Sequence, residues 1–415
     1  MLPIRCGIRH LAFFEALADF PEGSETGDEW RAVAAGVVVL RLLDSWMDRG
    51  AEELAANCWP MKAAMQEIGQ IPVTRPERRI LTAAVDAMKA TSPAVLGPVG
   101  SSVMAYARLL DFQARWPLAA DVYGTVVEHA HARRDAELII EASMRMGYCY
   151  RVLGQIDSAA EAYGRAEEVA TRIRDMSRVL RARVADAKLA IERGNLPRAE
   201  KILDATIRTA ERRKLGGVRA IALHDRAAVA HLRGDYELAI RTAYEAYVGT
   251  REDRERHRIL LDIAASFAEL GVLSAARDAH MIIARRAAQQ DIRWIAMLNL
   301  LELAVMDHCE LEFDRRRHDL VNVELPPALK AGYHLFLGKG YTAFGRIDQA
   351  RHELNTAVGI ATHYQFNQLL FDAEAALSAL KDHRVQSRVE SCAPAESVKQ
   401  VAIALSDMRA LAEVG

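Results

Sequence analysis

The sequence predicts an all-α protein, a right-handed α-solenoid or superhelix of about seven helical hairpins with an N-terminal helical cap. Three observations carry this expectation. Of 415 residues 51% are hydrophobic, enough for a sizeable core, yet aromatics make up only 6% and Ala-, Leu- and Arg-rich stretches dominate. That balance favours helices packed through small side chains over a β-sandwich or barrel. A turn signal also recurs at fixed spacing, and small residues recur in columns on both sides of it.

The turn signal is a glycine that ends a helical pattern. Gly154, Gly194 and Gly234 lie 40 residues apart, Gly271 follows after 37, and Gly345 after a further 74, or twice 37. A degenerate unit is therefore expected near His308, and a step of 40 back from Gly154 lands on Ala114. Five residues after these positions stand Ala119, Ala159, Ala199, Ala239, Ala276, Phe313 and Ala350; seven before them stand Ala107, Gly147, Ala187, Ala227, Ala264, Leu301 and Gly338. Small residues on two consecutive helices let the backbones approach, and a left-handed residue between them ends the first helix. Each hairpin has an apolar face that it cannot bury alone, so neighbours are expected to stack. The unit at Leu301, His308 and Phe313 breaks all three columns and reads as a repeat repacked with larger side chains, with a specialised pocket or dimer contact as the other option.

At these columns the chain resembles the tetratricopeptide repeat superfamily. The match is best at Met146, Gly147, Tyr150, Gly154, Ala159, Tyr163 and Ala166, and again at Gly338, Tyr341, Gly345, Ala350 and Ala357. Its period of 37 to 40 exceeds the usual 34, as in the long-period domains of bacterial regulators and peptide-pheromone sensors, and implies longer helices.

Outside the array, helical patterns run over Glu29 to Met47, Ala51 to Ile68 and Pro76 to Lys89. Asp28 reads as an N-cap, Arg49-Gly50 as a stop and Pro76 as a first helical residue after Arg75. This gives an N-terminal cap over residues 1–92 and a loop over 93–102, where SPAVLGPVGSS carries two prolines and two glycines. The repeat array follows over 103–381, ending in a solitary capping helix at Gln368 to Lys381. Residues 382–397 read as a linker and 398–415 as an amphipathic helix, with Val401, Leu405, Met408 and Leu411 on one stripe, able to dock back or bind a partner.

No P-loop, dinucleotide fingerprint or nucleophile elbow is present, and the glycines are absorbed by the hairpin turns, so the expectation is a non-enzyme without cofactor or metal. The five cysteines Cys6, Cys58, Cys149, Cys309 and Cys392 are scattered, which points to a reducing, cytoplasmic setting rather than a disulfide framework. His129 and His131, two apart on a helix, point to different faces and read as structural, as do the adjacent His308 and Cys309. Asp44, Asp48, Glu52 and Glu53 are the densest carboxylates but define no metal cage. The N-terminal apolar stretch is interrupted by Glu15 and Asp19, and the run from Val33 to Leu40 is too short to cross a bilayer, so neither a secretory signal nor a membrane span is expected.

Overall charge is −2, which gives no global pull towards nucleic acid or anionic membrane, but residues 171–220 hold 14 Lys or Arg against 6 Asp or Glu. The resemblance implies that residues thirteen, ten, six and three before each turn line a concave groove. Those positions include Arg108, Tyr148, Arg151, Arg181, Lys188 and His224, with Met144 as an apolar contact. The functional expectation is a protein- or peptide-binding scaffold that takes acidic segments, the alternative being a ligand- or peptide-responsive regulator with the N-terminal helices as effector.

Overall fold

The computed structural model describes residues 8–21, 27–49, 59–91, 96–131, 134–381 and 394–414; among them stand twenty helices and no strand. Two compact units divide the chain, residues 1–198 and 199–415. Seven helix-turn-helix pairs follow one another along the sequence, and their turns are those that the glycine ladder marks.

The first unit opens with α1 (Leu11–Ala18), α2 (Asp28–Arg49), α3 (Trp59–Gly69) and α4 (Pro76–Ala90). Next come α5 (Gly97–Phe112), α6 (Trp116–His129), α7 (Ala136–Val152), α8 (Ile156–Arg172) and α9 (Met176–Glu192), with α10 (Leu196–Arg212) running across the division. The second unit continues with α11 (Gly216–Leu232), α12 (Tyr236–Gly249), α13 (Asp253–Glu269), α14 (Leu273–Arg286), α15 (Gln290–Met306) and α16 (Glu310–Leu320). It closes with α17 (Pro327–Ala343), α18 (Ile347–His363), α19 (Asn367–Lys381) and α20 (Glu396–Val414).

All seven ladder residues adopt left-handed backbone: φ is +72° at Gly154, +70° at Gly194, +77° at Gly234, +78° at Gly271 and +74° at Gly345, with Ala114 at +59° and His308 at +50°. The same turn recurs twenty residues later at Arg174, Lys214 and Gln365. A helix of 17 residues and a turn of three make that half-repeat. Because arginine, lysine and glutamine stand at these positions, a search for glycines does not find this second column. Spacing falls from 40 to 37 where α12 and α14 stop after 14 residues and the chain turns extended at Thr250 and Ala287, one helical turn early.

Both small-residue columns are buried, with Ala119, Ala159, Ala199, Ala276 and Ala350 fully enclosed. A Cβ added at Gly147 would stand 2.4 Å from the Tyr163 ring, and one at Gly338 would stand 2.5 Å from Leu354, so these helices touch at backbone distance. The irregular unit solves the same packing problem in reverse. Phe313 is large where the other repeats have Ala, and it fits because Gly340 opposite leaves room: a Cβ there would lie 2.1 Å from the ring. Tyr341 and Phe344 complete the cluster at 5.5 and 5.3 Å.

Several boundaries differ from expectation. Helix α1 lies in a segment expected only not to be a signal; Asp28 sits inside α2 rather than capping it, since the Gly27 carbonyl accepts from the Arg31 amide. Helix α5 begins at Gly97, within the expected loop, because Pro98 stands in the first turn, where a missing N–H costs nothing. The putting-off of helix start that two prolines and two glycines suggest is thus overridden by buried Val99, Val103 and Met104. Residues 51–58 of the expected second helix, and 382–393 of the expected linker, lie outside the described residues. The last helix begins at Glu396, two residues into that segment.

Helix α20 docks back, onto α12 and α14. Val398, Val401 and Leu405 are buried, the Tyr247 hydroxyl donates to Met408 at 3.5 Å, and Arg409 pairs with Asp278 at 3.1 Å. Eleven residues after each turn stand Thr125, Arg165, Ala205, Glu245, Ile282, Asp319 and Thr356. Ile282 is the large apolar member of that outward column, and it is buried in the cluster that receives α20.

The alanine columns set a sharp test. Ala239→Phe should overpack its hairpin and cost about 1–3 kcal/mol in denaturant unfolding. Gly147→Ala should destabilise despite the better helix propensity of alanine, because its methyl meets the Tyr163 ring. Unchanged midpoints for both would mean that the helices do not pack at these columns.

Candidate functional site

The face presented by α5, α7 and α9 in the first unit holds six of the seven expected groove residues. It is built as a ladder of ion pairs between successive first helices of the hairpins. Arg108 donates to Glu141 at 2.7 Å, Arg145 lies 3.5 Å from Asp111, Arg178 reaches Glu137 at 3.2 Å, and Arg151 pairs closely with Glu192. Arg178–Glu137 and Arg151–Glu192 join residues one register position apart on adjacent repeats, whereas Arg108–Glu141 and Arg145–Asp111 run obliquely. Burial, which alone would lower the Arg151 pKa, is outweighed by Glu192, and the guanidinium is held above its ordinary value.

The expected cations therefore divide. Arg108 and Arg151 are engaged within the array, and Lys188 is half-buried. Arg181 is exposed and has no ion-pair partner among the described residues. Tyr148 is 37% exposed, and the Arg151 guanidinium sits over its ring at 5.3 Å. Met144 is half-buried and packs against the cluster of Ala159, Tyr163 and Leu189, which commits much of its thioether side chain to the core. In the second unit, His224 on α11 bonds to Asp262 on α13 at 2.5 Å. Asp111 and Glu141, three and thirteen before their turns, occupy the same register positions as the expected groove cations.

A second constellation lies where the cap meets α6. His10, at the start of α1, directs Nδ1 to Asp121 at 2.7 Å and Nε2 to Asp44 at 3.2 Å. Asp44 is shared with His129 Nε2 at 2.7 Å and with Arg9 at 3.0 Å. Asp44 and His129 stand 85 positions apart in sequence and carry no local signal that they meet. Burial favours neutral His10, but its two carboxylates outweigh burial and push the imidazole up to about 9. Burial likewise opposes the Asp44 charge, and His10, His129 and Arg9 together hold its carboxyl well below the usual range. His131 instead donates its backbone N–H to Asp135 at 2.9 Å. This is a clamp that ties α1, α2 and α6 together; among the described residues no group of three or more His, Cys, Asp or Glu is arranged to hold a metal ion.

Two of the cysteines, Cys149 and Cys309, lie among the described residues. Cys149 is buried, and desolvation pushes its pKa up to about 12, the reverse of an activated thiolate. Cys309 precedes α16 as its capping residue, with His308 in the left-handed turn beside it. Among the described residues no helix is long and apolar enough to cross a membrane.

The clamp predicts a signed pH dependence. The raised His10 pKa adds stability that is complete below the unfolded value of 6.5 and is lost as pH rises through about 9. The lowered Asp44 pKa adds stability above its unfolded value of 3.8 that is lost as pH falls below it. Thermal unfolding of the full chain should weaken between about pH 6.5 and 9, by no more than about 1.4 kcal/mol per pH unit from this one group. His10→Gln should flatten that limb; an unaltered slope would detach the pH response from the clamp.

No family model matches the chain, and no curated protein matches it. Solved structures similar to it include the apo form of RapI (8% identity, 85% of this chain and 99% of that one, TM-score 0.47). Apo NprR from B. thuringiensis matches at 13% identity over 85% and 86% of the two chains, with a TM-score of 0.40. The C-terminal part of a TPR repeat-containing protein from Cytophaga hutchinsonii matches at 13% over 65% and 98%, with a TM-score of 0.38. The seven left-handed turns and the two buried columns make the fold of this chain one of tetratricopeptide-like helical hairpins.

Proposed function

We propose that the chain is a non-enzymatic scaffold that binds a protein or peptide segment along the face of α5, α7 and α9. The observation that carries this reading is the combination, on one face, of exposed Arg181 with the Arg151–Tyr148 stack. An acidic segment would meet Arg181 directly and would exchange its own carboxylate for Glu192 or Glu141 at Arg151 and Arg108. Such exchange is cheap. Exposed ion pairs contribute about 0–1 kcal/mol each, so replacing one by another changes little, and net affinity has to come from several contacts together. Tyr148 supplies an exposed aromatic surface with few rotamers to freeze. The existing ladder already neutralises most of the positive charge, so the partner needs carboxylates interspersed with apolar residues rather than a solid acidic run.

A regulatory variant of this function draws support from the clamp. His10, Asp44, Asp121 and His129 couple the N-terminal helices to the first hairpin, so a ligand that shifts α5 relative to α6 would load on the cap. The scaffold reading needs no such movement and is preferred.

A pull-down from the native host would supply a partner for a binding titration. Arg151→Glu with Arg181→Glu should reduce affinity at least tenfold while the helical circular dichroism signal is retained. Wild-type affinity should also fall as salt rises, because the contacts are solvent-accessible charges. Unchanged affinity and salt dependence in the folded double variant would move the binding surface elsewhere.

A further inference from the structure

We infer that the outward face of α10 and α12 in the second unit adsorbs to the surface of an anionic lipid bilayer. The composition of this stretch is close to balanced, and it is the fold that sorts the charges by face. Between residue 199 and the end of α12, six cations lie exposed with no ion-pair partner among the described residues: Lys201, Arg208, Arg212, Arg213, Lys214 and Arg241. Lys201, Arg208 and Arg212 follow one another at intervals of seven and four, which places them on one stripe of α10. Arg241 holds on α12 the register that Lys201 holds on α10, seven residues after the turn. Arg213 and Lys214 continue the stripe into the turn that follows α10.

The carboxylates of the same two helices are spoken for, mostly by α11. Arg226 of α11 reaches Asp204 at 3.0 Å and also pairs with Glu200, which receives Arg233 at 2.5 Å. Arg219 of α11 bridges Glu211 of α10, at 3.8 Å, and Glu245 of α12. That bridge also sets the C-terminal halves of α10 and α12 beside one another. Asp235 caps α12 by accepting from the Leu238 amide at 3.1 Å, and Glu237 accepts from the Ala395 amide at 2.7 Å. Four carboxylates are thus matched to the three arginines of α11, and the cations of α10 and α12 are left facing solvent.

What lies between the cations selects the partner. Residues 199–249 contain no Asn, Gln or Ser, and among the described residues no exposed aromatic ring stands in this stretch. The face therefore lacks the amides that read base edges and the rings on which bases stack. Its remaining surface is aliphatic: Ala205 and Val248 are exposed, Val248 at 67%, and Ile202 is half-buried. Long cationic side chains over aliphatic surface suit a bilayer interface, where the charged heads meet lipid phosphates and carboxylates while the methylene stems and Val248 reach the level below. The cations are spread over two helices, so a two-dimensional array of anions engages more of them than one extended acidic chain would. This surface lies in the second unit and shares no residue with α5, α7 or α9, so it does not rest on the peptide-binding reading.

The test is co-sedimentation of the full chain with phosphatidylcholine vesicles, with and without about one-third phosphatidylserine. Binding is expected only where phosphatidylserine is present, and it should fall at least tenfold as salt rises from about 0.1 M to about 0.5 M. Arg208→Glu with Arg241→Glu should lower the partition at least tenfold and retain the helical circular dichroism signal, since neither side chain has an ion-pair partner to lose. If that pair fails to fold, Lys201→Gln with Lys214→Gln carries the test, with at least a threefold loss expected. Val248→Asn should weaken partition at least threefold, and no change there would overturn the aliphatic contact. Arg151→Glu with Arg181→Glu, in the first unit, should bind vesicles as the wild type does; a loss in that variant equal to the loss at Arg208 and Arg241 would overturn the placement. No binding to the anionic vesicles would overturn the inference, as would wild-type partition in the folded variants of α10 and α12. Tighter binding to a DNA duplex than to vesicles of equal charge would assign the surface to nucleic acid instead and overturn the bilayer.

Discussion

Backbone approach between consecutive helices is the constraint on which the rest of this structure depends. At Gly147 and Gly338 the neighbouring helix occupies the space of a Cβ, and at the alanine column a methyl fills what room there is. Helices this close cannot diverge, so the chain must reverse within three residues, and a left-handed residue is the economical way to do so. Glycine meets that demand without strain, but it is not obligatory. Ala114, Arg174, Lys214, His308 and Gln365 take the same conformation at a steric cost that tertiary packing absorbs.

Once hairpin geometry is fixed, the repeat length becomes a matter of where the second helix stops. Removing one turn changes the spacing from 40 to 37 without disturbing either column. Removing two, as in α16, still gives a spacing of 37, because the six residues that connect α16 to α17 are three more than the three that follow α12 and α14. The large Phe313 of that hairpin is offset by Gly340 on the following helix, so volume is conserved across the contact rather than within one column.

The outer faces of the second helices divide in a related way. Seven residues after their turns, α6 and α14 both carry aspartate. Asp121 holds His10 of the cap, and Asp278 holds Arg409 of α20. The corresponding residues elsewhere are Glu161, Lys201, Arg241, Arg315 and His352. A charged residue on an outward position reads in sequence as a solvated face, and nothing local distinguishes an aspartate awaiting a partner from one that faces water. The inward face shows the same limit. Two cations of the expected groove, Arg108 and Arg151, are each offset by a carboxylate on another hairpin, 33 and 41 residues away.

What the sequence by itself determined is the hairpin: its turns, its small-residue columns and the count of units. These are short-range requirements of backbone packing, repeated often enough to stand out against chance, and they hold even where alanine or histidine replaces glycine. Helix starts were less legible, because Pro98 and the flanking glycines read as a loop until the apolar side chains of α5 find their burial. Only the tertiary structure decided which charges remain available, where α20 rests, and that His10, Asp44, Asp121 and His129 meet. Those outcomes depend on pairs far apart in the chain, whose meeting is set by the stacking of whole helices rather than by any pattern within one of them.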